Sequence, residues 1–432
     1  MVKTVKIGIV GMGNVGQGVY SLIIENKQHI AEKTGILLEI KKIAVKDKAK
    51  KRGIEIDEGL LTENIDEVVK DKEIGIVVEL IGGYEKAREV VVKALHQGKY
   101  VVTANKLLMA KEGAELSELA EKQKTDLYFE ASVAGGIPAI IPMSLSLCAN
   151  RIESIHAILN GTCNYILSRM EEGLEFDEAL KQAQEKGFAE KDPSLDINGT
   201  DAMQKLVILS SIAFGNNFKE TDINTEGIEK IDAEDIEFAD ALDYRIKLLA
   251  IAKAGDKDIE LGVAPFLIPK NHSLSSVRNE LNAITTKGNF VGEVTFIGKG
   301  AGGNPTASAV VADIINAAQD MENSFEGIHL AKIHNKRNGS VRNPLECEYP
   351  FYIKLLAEDR VGVMAKVTAI LAENNISIAS AIQKGIKGEK EVPVIILTHR
   401  TKEKNLKNAL DTILGLEFIK AGKFIRIEKF GN

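Results

Sequence analysis

A glycine-rich turn directly after the first strand-like segment constrains this chain most. Residues 11–16 follow the apolar run Val5–Val10 and open a helical pattern. In a strand–turn–helix unit, three glycines at this spacing make a tight turn, bring the backbone close to a pyrophosphate and let the helix touch the strand. The sequence therefore predicts a dinucleotide site at a helix N-terminus, although a purely structural turn is the alternative. The predicted contacts are Gly11, Met12, Gly13, Asn14, Val15 and Gly16.

The first third of the chain alternates strand-like and helix-like segments, which is typical of a doubly wound α/β domain of the Rossmann type. We assign it to residues 1–134, completed by about 300–330, where the small-residue helix Pro305–Ala318 returns to it. Continuous β-branched runs indicate parallel strands that are buried on both faces. The predicted strands are Val5–Val10, Leu37–Val45, Ile76–Ile81, Tyr100–Thr103 and Leu127–Ala131.

The pattern of residues 135–299 predicts a mixed α+β domain, which would bind the substrate. Its pattern includes a strand at Ile152–Leu159, a long helix at Glu234–Ala254 and strands at Ile259–Ile268 and Asn289–Ile297. Residues 331–348 have little periodicity and predict a linker. Residues 349–432 then follow the order βαββαβ, which predicts a self-contained ferredoxin-like module.

Composition excludes several classes of protein. A chain of 432 residues is too long for one core, and a net charge of −7 argues against nucleic acid as the main partner. Three scattered cysteines suit a reducing compartment. No apolar run approaches membrane-spanning length, and the N-terminus has no signal-peptide pattern. We therefore expect a cytoplasmic protein without a membrane or nucleic-acid partner.

The second strand leads into a loop that bears on the choice between NAD and NADP. Asp47 could bind a ribose 2′-hydroxyl, as acids do at this place in NAD sites. Lysines flank it, however, and Lys46 with the basic run 50–52 would suit a 2′-phosphate. A solvated basic surface is the alternative. We expect a preference for NADP.

Two lysines and several acids are candidates for chemistry. Glu190, Asp192 and Asp196 lie in a Pro/Gly loop, where acids suit a polar ligand better than a core. Asp201 and Lys205 are four residues apart on one helix face and can pair, as an ordinary surface pair also would. The apolar residues beside Lys205 predict a partly buried amine, which suits proton transfer. Lys106 follows the fourth long strand, at the edge where doubly wound sheets bind ligands, although a lone loop lysine is usually just solvated.

Six segments in order resemble the homoserine dehydrogenase family, with a C-terminal ACT domain, along nearly the whole chain. They are GIVGMGNVG, TANK, EASVAGGIP, NGTCNYIL, GFAEKDPSLDINGTDAMQKL and GKGAGGNPTASAV. The resemblance implies reversible interconversion of L-homoserine and L-aspartate 4-semialdehyde with NAD or NADP, in threonine, methionine and isoleucine biosynthesis.

The resemblance also implies roles for individual residues. Lys205 would donate and accept the proton, and Lys106 would touch substrate and cofactor. Further cofactor contacts would come from Lys46 and Gly302. The implied substrate-binding residues are Glu190, Asp201, Asp196, Gly161 and Thr162. A monovalent cation, sodium in most members, would bind at Glu130, Val133, Gly135 and Ile137, with a capped strand end as the alternative role for Glu130. Two departures are Cys163, where threonine is frequent, and Phe188, where some members have tyrosine.

Two rival functions and one open question of regulation remain at this level. An acylating semialdehyde dehydrogenase would need a nucleophilic cysteine with a base, and no histidine pairs with Cys148 or Cys163 by pattern. A non-catalytic amino-acid sensor would not need the lysines and acids above. Loop 355–363 resembles the ligand loop of ACT domains, which implies an amino-acid effector, threonine first. The family resemblance also implies a homodimer or homotetramer, with residues 135–299 as the substrate and dimerisation domain. Assembly alone is the alternative role of this module.

Overall fold

The computed structural model describes residues 2–323, 332–335, 339–383 and 390–430. Its N-terminal part is a six-stranded, all-parallel sheet with the strand order 3-2-1-4-5-6, the order of a Rossmann fold. The strands are β1 Lys3–Val10, β2 Ile36–Ala44, β3 Leu61–Thr62, β4 Ile76–Glu79, β5 Tyr100–Thr103 and β6 Leu127–Tyr128. The helices are α1 Asn14–Glu25, α2 Lys27–Thr34, α3 Asp66–Val69, α4 Glu85–His96 and α5 Lys106–Lys122.

After the middle of the chain, one long helix packs against this first sheet. The long helix α11, Gly303–Asn323, packs against α1, and a β-carbon on Gly18 would lie 2.9 Å from the Ala307 β-carbon. Small residues on both helices permit this close approach. Ala307, Val310 and Ile314 of α11 are buried in the same core as strand β1. The carboxyl ends of the parallel strands are left to form the ligand crevice.

The middle of the chain forms the mixed sheet that the sequence predicted. Its strands are β7 Ile152–Ile158, β8 Asn224–Thr225, β9 Tyr244–Ala254, β10 Asp258–Pro269, β11 Leu281–Gly288 and β12 Gly292–Lys299. Its helices are α6 Gly161–Met170, α7 Phe176–Glu185, α8 Ser194–Ile197, α9 Thr200–Phe214 and α10 Ala233–Ala241.

The sequence analysis differs from the structure at three places, two in this part of the chain and one in the first domain. The predicted helix Glu234–Ala254 is helix α10 followed by strand β9, with Asp243 between them in the left-handed region at φ 62°. Strand β9 lies between β7 and β10 and is buried on both faces, so its apolar run at residues 248–252 has no strand period. Strand β11 was not predicted, and β12 begins after Asn289. The predicted strand Leu127–Ala131 ends at Tyr128.

The C-terminal module has the predicted βαββαβ order. Its main elements are β15 Phe351–Glu358, α12 Val363–Glu373, β16 Ile378–Gln383, β17 Glu391–Thr398, α13 Glu403–Leu414 and β19 Ile419–Ile427, and the short strands β13 Ser340–Val341, β14 Glu348–Tyr349 and β18 Thr401–Lys402 lie around them. The sheet order β19-β15-β17-β16 is that of a ferredoxin-like fold.

The module is not self-contained, which corrects the expectation from sequence. Strand β19 pairs in parallel with β10, with Phe266 opposite Arg426, so the two sheets form one continuous sheet. Strand β13, inside the predicted linker, also pairs with β10. Within the described ranges, no helix is both long and apolar enough to cross a membrane.

Candidate active site

A buried carboxylate joins the two lysines that the sequence analysis selected. Asp201 lies in the first turn of α9 and is 6% exposed. One turn later, Lys205 donates hydrogen bonds from Nζ to Asp201 Oδ2 at 2.8 Å and to the carbonyl of Leu159 at 2.7 Å. Lys106 donates to the other carboxylate oxygen, Oδ1. Lys205 is itself buried, as expected. Three of the predicted site residues therefore meet at one point.

The ionisation of Asp201 follows from a competition between burial and charge. Burial alone would raise the pKa of this carboxyl, but the neighbouring Lys205 and Lys106 outweigh it and hold the pKa well below its usual range. Asp201 is therefore an anion at neutral pH. It aligns both amines, while the side chain of Lys106 remains 40% exposed towards the crevice.

Asn160 connects Asp201 with Asp196 and was missed by the sequence analysis. Its Nδ2 donates to Asp196 Oδ1 at 2.8 Å and to Asp201 Oδ2 at 2.9 Å. Its Oδ1 accepts from the Cys163 N–H at 2.8 Å and so caps helix α6. The position of this asparagine, directly after a buried strand and before a helix, is the sequence signal by which it could have been found. The capping role predicts the helix start, but not the contacts with two acids.

Asp196 has the opposite electrostatic balance to Asp201. Burial raises the pKa of Asp196, the hydrogen bond from Asn160 opposes this rise, and the negative charge of Asp201 adds to it. Thr162 donates to the carbonyl of Phe188 at 2.7 Å and lies 3.4 Å from Asp196 Oδ2. The pocket thus contains two acids whose affinities for protons differ.

The turn before α6 requires a glycine for steric reasons. A β-carbon on Gly161 would lie 2.6 Å from the carbonyl oxygen of Glu280 and 3.3 Å from Asn282 Oδ1. The side-chain amide of Asn282 is buried, and neither its nitrogen nor its oxygen has a hydrogen-bond partner among the described residues. Neither Asn282 nor its strand β11 was predicted from the sequence.

Glu190 is the predicted substrate residue that the structure does not bring into contact with this cluster. It is exposed in the loop before α8, and its carbonyl accepts from Gln184 Nε2 at 3.2 Å. No contact between the Glu190 side chain and the cluster occurs within the described part of the chain. Its carboxylate faces solvent and is available to a ligand.

The glycine turn has the geometry that a pyrophosphate needs. Gly11 has φ +106°, and a β-carbon there would lie 2.6 Å from the carbonyl of Leu80. A β-carbon on Gly16 would lie 2.4 Å from the carbonyl of Gly11, so helix and strand touch at this point. Apart from its own chain neighbours, no described atom lies within 4 Å of the β-carbon position of Gly13. The N-terminus of α1 therefore opens onto free space, where its dipole favours an anion.

A third unpredicted residue, Glu79, helps to position Lys106 through hydrogen bonds at the start of its helix. Glu79 is fully buried at the end of β4, and burial raises its pKa. It accepts hydrogen bonds from Thr103 Oγ1 at 2.6 Å and from the Ile81 N–H at 2.8 Å. Thr103 Oγ1 accepts from the Asn105 N–H, and Asn105 caps helix α5, in which Lys106 is the first residue. Lys106 is thus set on a helix start rather than on a free loop.

The basic loop after β2 lies at the same edge of the sheet. Lys46 is exposed, and Asp47 uses its carboxylate to accept from the N–H of Ala49 at 2.8 Å. Arg52 folds back and donates to the carbonyls of Asp47 and Lys50, both at 2.8 Å. The exposed side chains of this loop are therefore mainly positive. Asp47, the acid expected in an NAD site, is hydrogen-bonded within the loop instead.

Comparison with known proteins identifies the family. Sequence models match for "Homoserine dehydrogenase, NAD binding domain" at residues 11–130, "Homoserine dehydrogenase" at 138–315 and "ACT domain" at 351–418. The homoserine dehydrogenase of Neisseria gonorrhoeae is 41% identical over 431 residues, which cover 99% of each chain. The chain belongs to the homoserine dehydrogenase family. It is an oxidoreductase with a nicotinamide dinucleotide-binding domain and an ACT domain.

Other homoserine dehydrogenases extend this finding. That of Bacillus subtilis is 38% identical, with 98% of this chain and 97% of the relative covered. A crystal structure of the Thiobacillus denitrificans enzyme superposes with a TM-score of 0.92 at 40% identity and 99% coverage of both chains. A hyperthermophilic archaeal homoserine dehydrogenase in complex with NADPH has a TM-score of 0.62 at 28% identity, covering 73% of this chain and 98% of that one.

The acylating rival, which needs a reactive thiol, finds no support at Cys163. This cysteine is fully buried, and burial raises the pKa of its thiol well above the usual value. Its Sγ–H donates to the carbonyl of Asp196 at 3.2 Å. A buried, protonated thiol that serves as a hydrogen-bond donor is a structural group and a poor nucleophile.

Segment 130–137, where the sequence analysis expects a cation, is largely buried. The Glu130 carboxylate accepts hydrogen bonds from the N–H groups of Ala139, Ile140 and Ile141. Its own N–H donates to Asp313 at 2.8 Å. Val133, Gly135 and Ile137 lie in the same buried turn. Among the described residues, no ion pair neutralises Glu130 or Asp313, and burial raises the pKa of both.

Proposed function

We propose that this chain interconverts L-homoserine and L-aspartate 4-semialdehyde, with Lys205 as the proton donor and acceptor. The contact of both Lys205 and Lys106 with the buried Asp201 carboxylate is the observation that carries this proposal. Held in this way, the Lys205 ammonium can give a proton to the aldehyde oxygen in the reductive direction. In the oxidative direction, the neutral amine takes the proton from the 4-hydroxyl.

The remaining pocket residues would bind and orient the substrate. Glu190 has a free carboxylate that would suit the substrate ammonium group, and Asp196, Thr162 and Gly161 would also contact the substrate. Lys106, at the start of α5, reaches from the cofactor domain and would contact both substrate and cofactor. Orientation by such groups is the main contribution of a protein to hydride transfer. A non-catalytic amino-acid sensor would not need two lysines held on one buried carboxylate.

We propose NADP as the preferred cofactor. Gly11 to Gly16 and Gly302 would hold the pyrophosphate region, and Lys46 would bind the 2′-phosphate. The exposed positive loop and the NADPH complex of the archaeal relative support this preference. When bound, the oxidised nicotinamide would accept a hydride from C4 of homoserine, and the reduced nicotinamide would donate one to C4 of the semialdehyde.

We also propose a sodium ion at residues 130–137, with Glu130 and the carbonyls of Val133, Gly135 and Ile137 as ligands. The burial of two acids without a countercharge among the described residues supports it, because an unpaired buried charge is costly. Oxygen ligands suit such a hard cation. In this arrangement the Glu130 carboxylate would accept the hydrogen bonds from residues 139–141 and bind the ion at the same time.

For regulation and assembly, we propose a homodimer or homotetramer with threonine as the first candidate effector of the ACT domain. We take the functional units to be residues 1–134, 135–299 and 349–432, with 331–348 between the last two and 300–330 completing the first. The scattered cysteines fit a reducing cytoplasm.

Turnover tests the proposal as a whole. We expect NADPH-dependent reduction of aspartate 4-semialdehyde and NADP-dependent oxidation of homoserine, neither of which requires phosphate or arsenate. Binding of amino acids without turnover would support a sensor instead. Activity that depends on phosphate would support the acylating rival.

A further inference from the structure

The last strand of the C-terminal domain places a buried cation next to the substrate domain. Arg426, on β19, is 5% exposed. Its guanidinium donates two hydrogen bonds to Glu403 of α13, both at 2.8 Å, and two to Glu226 of the substrate domain at 2.8 and 3.0 Å. Two carboxylates therefore hold one guanidinium in a bidentate geometry on each side, and the arginine joins the two domains.

Glu226 begins a short segment that packs against the loop carrying the pocket residue Asp196. Its N–H donates to the carbonyl of Val263 on β10 at 2.7 Å. Two residues later, the N–H of Ile228 donates to the carbonyl of Ile197 at 2.9 Å. A β-carbon on Gly227 would lie 2.0 Å from that carbonyl oxygen, so the two backbones pack without space between them.

Ile197 is the neighbour of Asp196, which contacts Asn160 and Thr162 in the pocket. On the other side, a β-carbon on Gly199 would lie 2.9 Å from Thr225 and 3.3 Å from Val263. Residues 196–199 are therefore packed between the pocket and the 224–228 segment. A shift of Glu226 would be transmitted to Asp196 through contacts without free space.

We propose that Arg426 and Glu226 are positioning residues for the substrate pocket. Through this ion pair, the final strand of the ACT domain fixes segment 226–228 and, with it, the loop that carries Asp196. The ACT domain thereby contributes to substrate affinity even without an effector. Neither residue touches the substrate itself.

The two carboxylates on Arg426 provide a matched pair of variants. Glu226→Ala removes the contact with the substrate domain, whereas Glu403→Ala removes a contact within the ACT domain and leaves Glu226 paired. For Glu226→Ala we expect the KM for homoserine to rise by about fivefold or more, while kcat and the KM for NADP change by less than about twofold. Glu403→Ala should lower the melting temperature but leave the KM for homoserine within about twofold.

This kinetic test rests on the proposed function, so a second measurement is independent of it. In the substrate-free protein, amide hydrogen exchange at residues 194–199 should be faster in Glu226→Ala than in wild type, and unchanged in Glu403→Ala. Failure of wild type to turn over homoserine would overturn the proposed function, and the exchange result would still decide this inference. An unchanged KM and unchanged exchange in Glu226→Ala, or equal effects of both variants, would overturn it.

Discussion

Lys106 donates a hydrogen bond to Asp201 although 95 residues separate them in the chain. Lys106 starts a helix of the Rossmann domain, and Asp201 starts a helix of the substrate domain. This contact joins the two domains at the point where Lys205, the proposed proton donor and acceptor, lies. Asp201 thus organises amines from two domains.

Lys205→Ala should lower kcat by roughly two to four orders of magnitude, because the proton would lose its donor and acceptor. NADPH affinity, measured by fluorescence titration, should be nearly unchanged, since Lys205 lies in the substrate domain. The melting temperature serves as the control for folding. A variant that retains more than about a tenth of the wild-type kcat would exclude the proton-transfer role.

Lys46→Glu should shift cofactor preference towards NAD, because it replaces an attraction for the 2′-phosphate by a repulsion. We expect the ratio of kcat/KM for NADP to that for NAD to fall by about tenfold or more. Lys33→Glu is the matched control, since Lys33 is an exposed lysine of α2, before β2 and away from the carboxyl ends of the strands. Equal ratios in both variants and wild type would contradict the role of Lys46.

Glu428→Gln should destabilise the protein in a pH-dependent way. Burial alone would raise the pKa of Glu428, but His156 and Lys253 lower it to about 2 from the usual 4.5. Because the folded-state pKa is the lower one, the stabilisation is present above pH 4.5 and is lost as pH falls towards 2. The lost free energy of unfolding at neutral pH is roughly 3 kcal/mol. Chemical denaturation from pH 7 to pH 2 measures it, and a difference that does not shrink in acid would refute this account.

Glu130→Gln should weaken any activation by sodium, because it removes the one charged ligand of the proposed site. Activity measured against sodium concentration, at constant ionic strength with choline as the replacement cation, should show a half-saturating concentration raised by about tenfold. An enzyme that is indifferent to sodium in both forms would disprove the cation site and leave Glu130 as a cap for residues 139–141.

Val361→Asp should reduce any response to threonine. Val361 is fully exposed in the ACT loop before α12, so the change should leave the fold intact while placing a negative charge where an effector carboxylate would approach. The half-inhibitory concentration should rise by about tenfold or more, with Val361→Ala as the control. Truncation after Arg342 is a poorer test because it removes the strand that pairs with β10. No response of wild type to threonine, methionine, isoleucine or lysine would leave only a role in assembly.

Local sequence patterns were sufficient to predict features whose deciding residues lie close together in the chain. The glycine turn and the Asp201–Lys205 pair were both predicted at their observed positions. In each case, the residues that decide the structure lie within one or two turns of one another. The family resemblance could likewise be found in the sequence, since six ordered motifs carry it.

Tertiary structure alone decided the features that depend on distant residues. Strand β9 is a strand because β7 and β10 pair with it on both sides, and its apolar run cannot show this. The roles of Asn160 and Glu79 follow from partners 24 to 41 residues away. The junction of β10 with β19 and the Glu226–Arg426 contact join segments about 160 to 200 residues apart. Sequence patterns report local geometry, whereas the burial and pairing of polar groups are fixed only when the chain has brought their partners together.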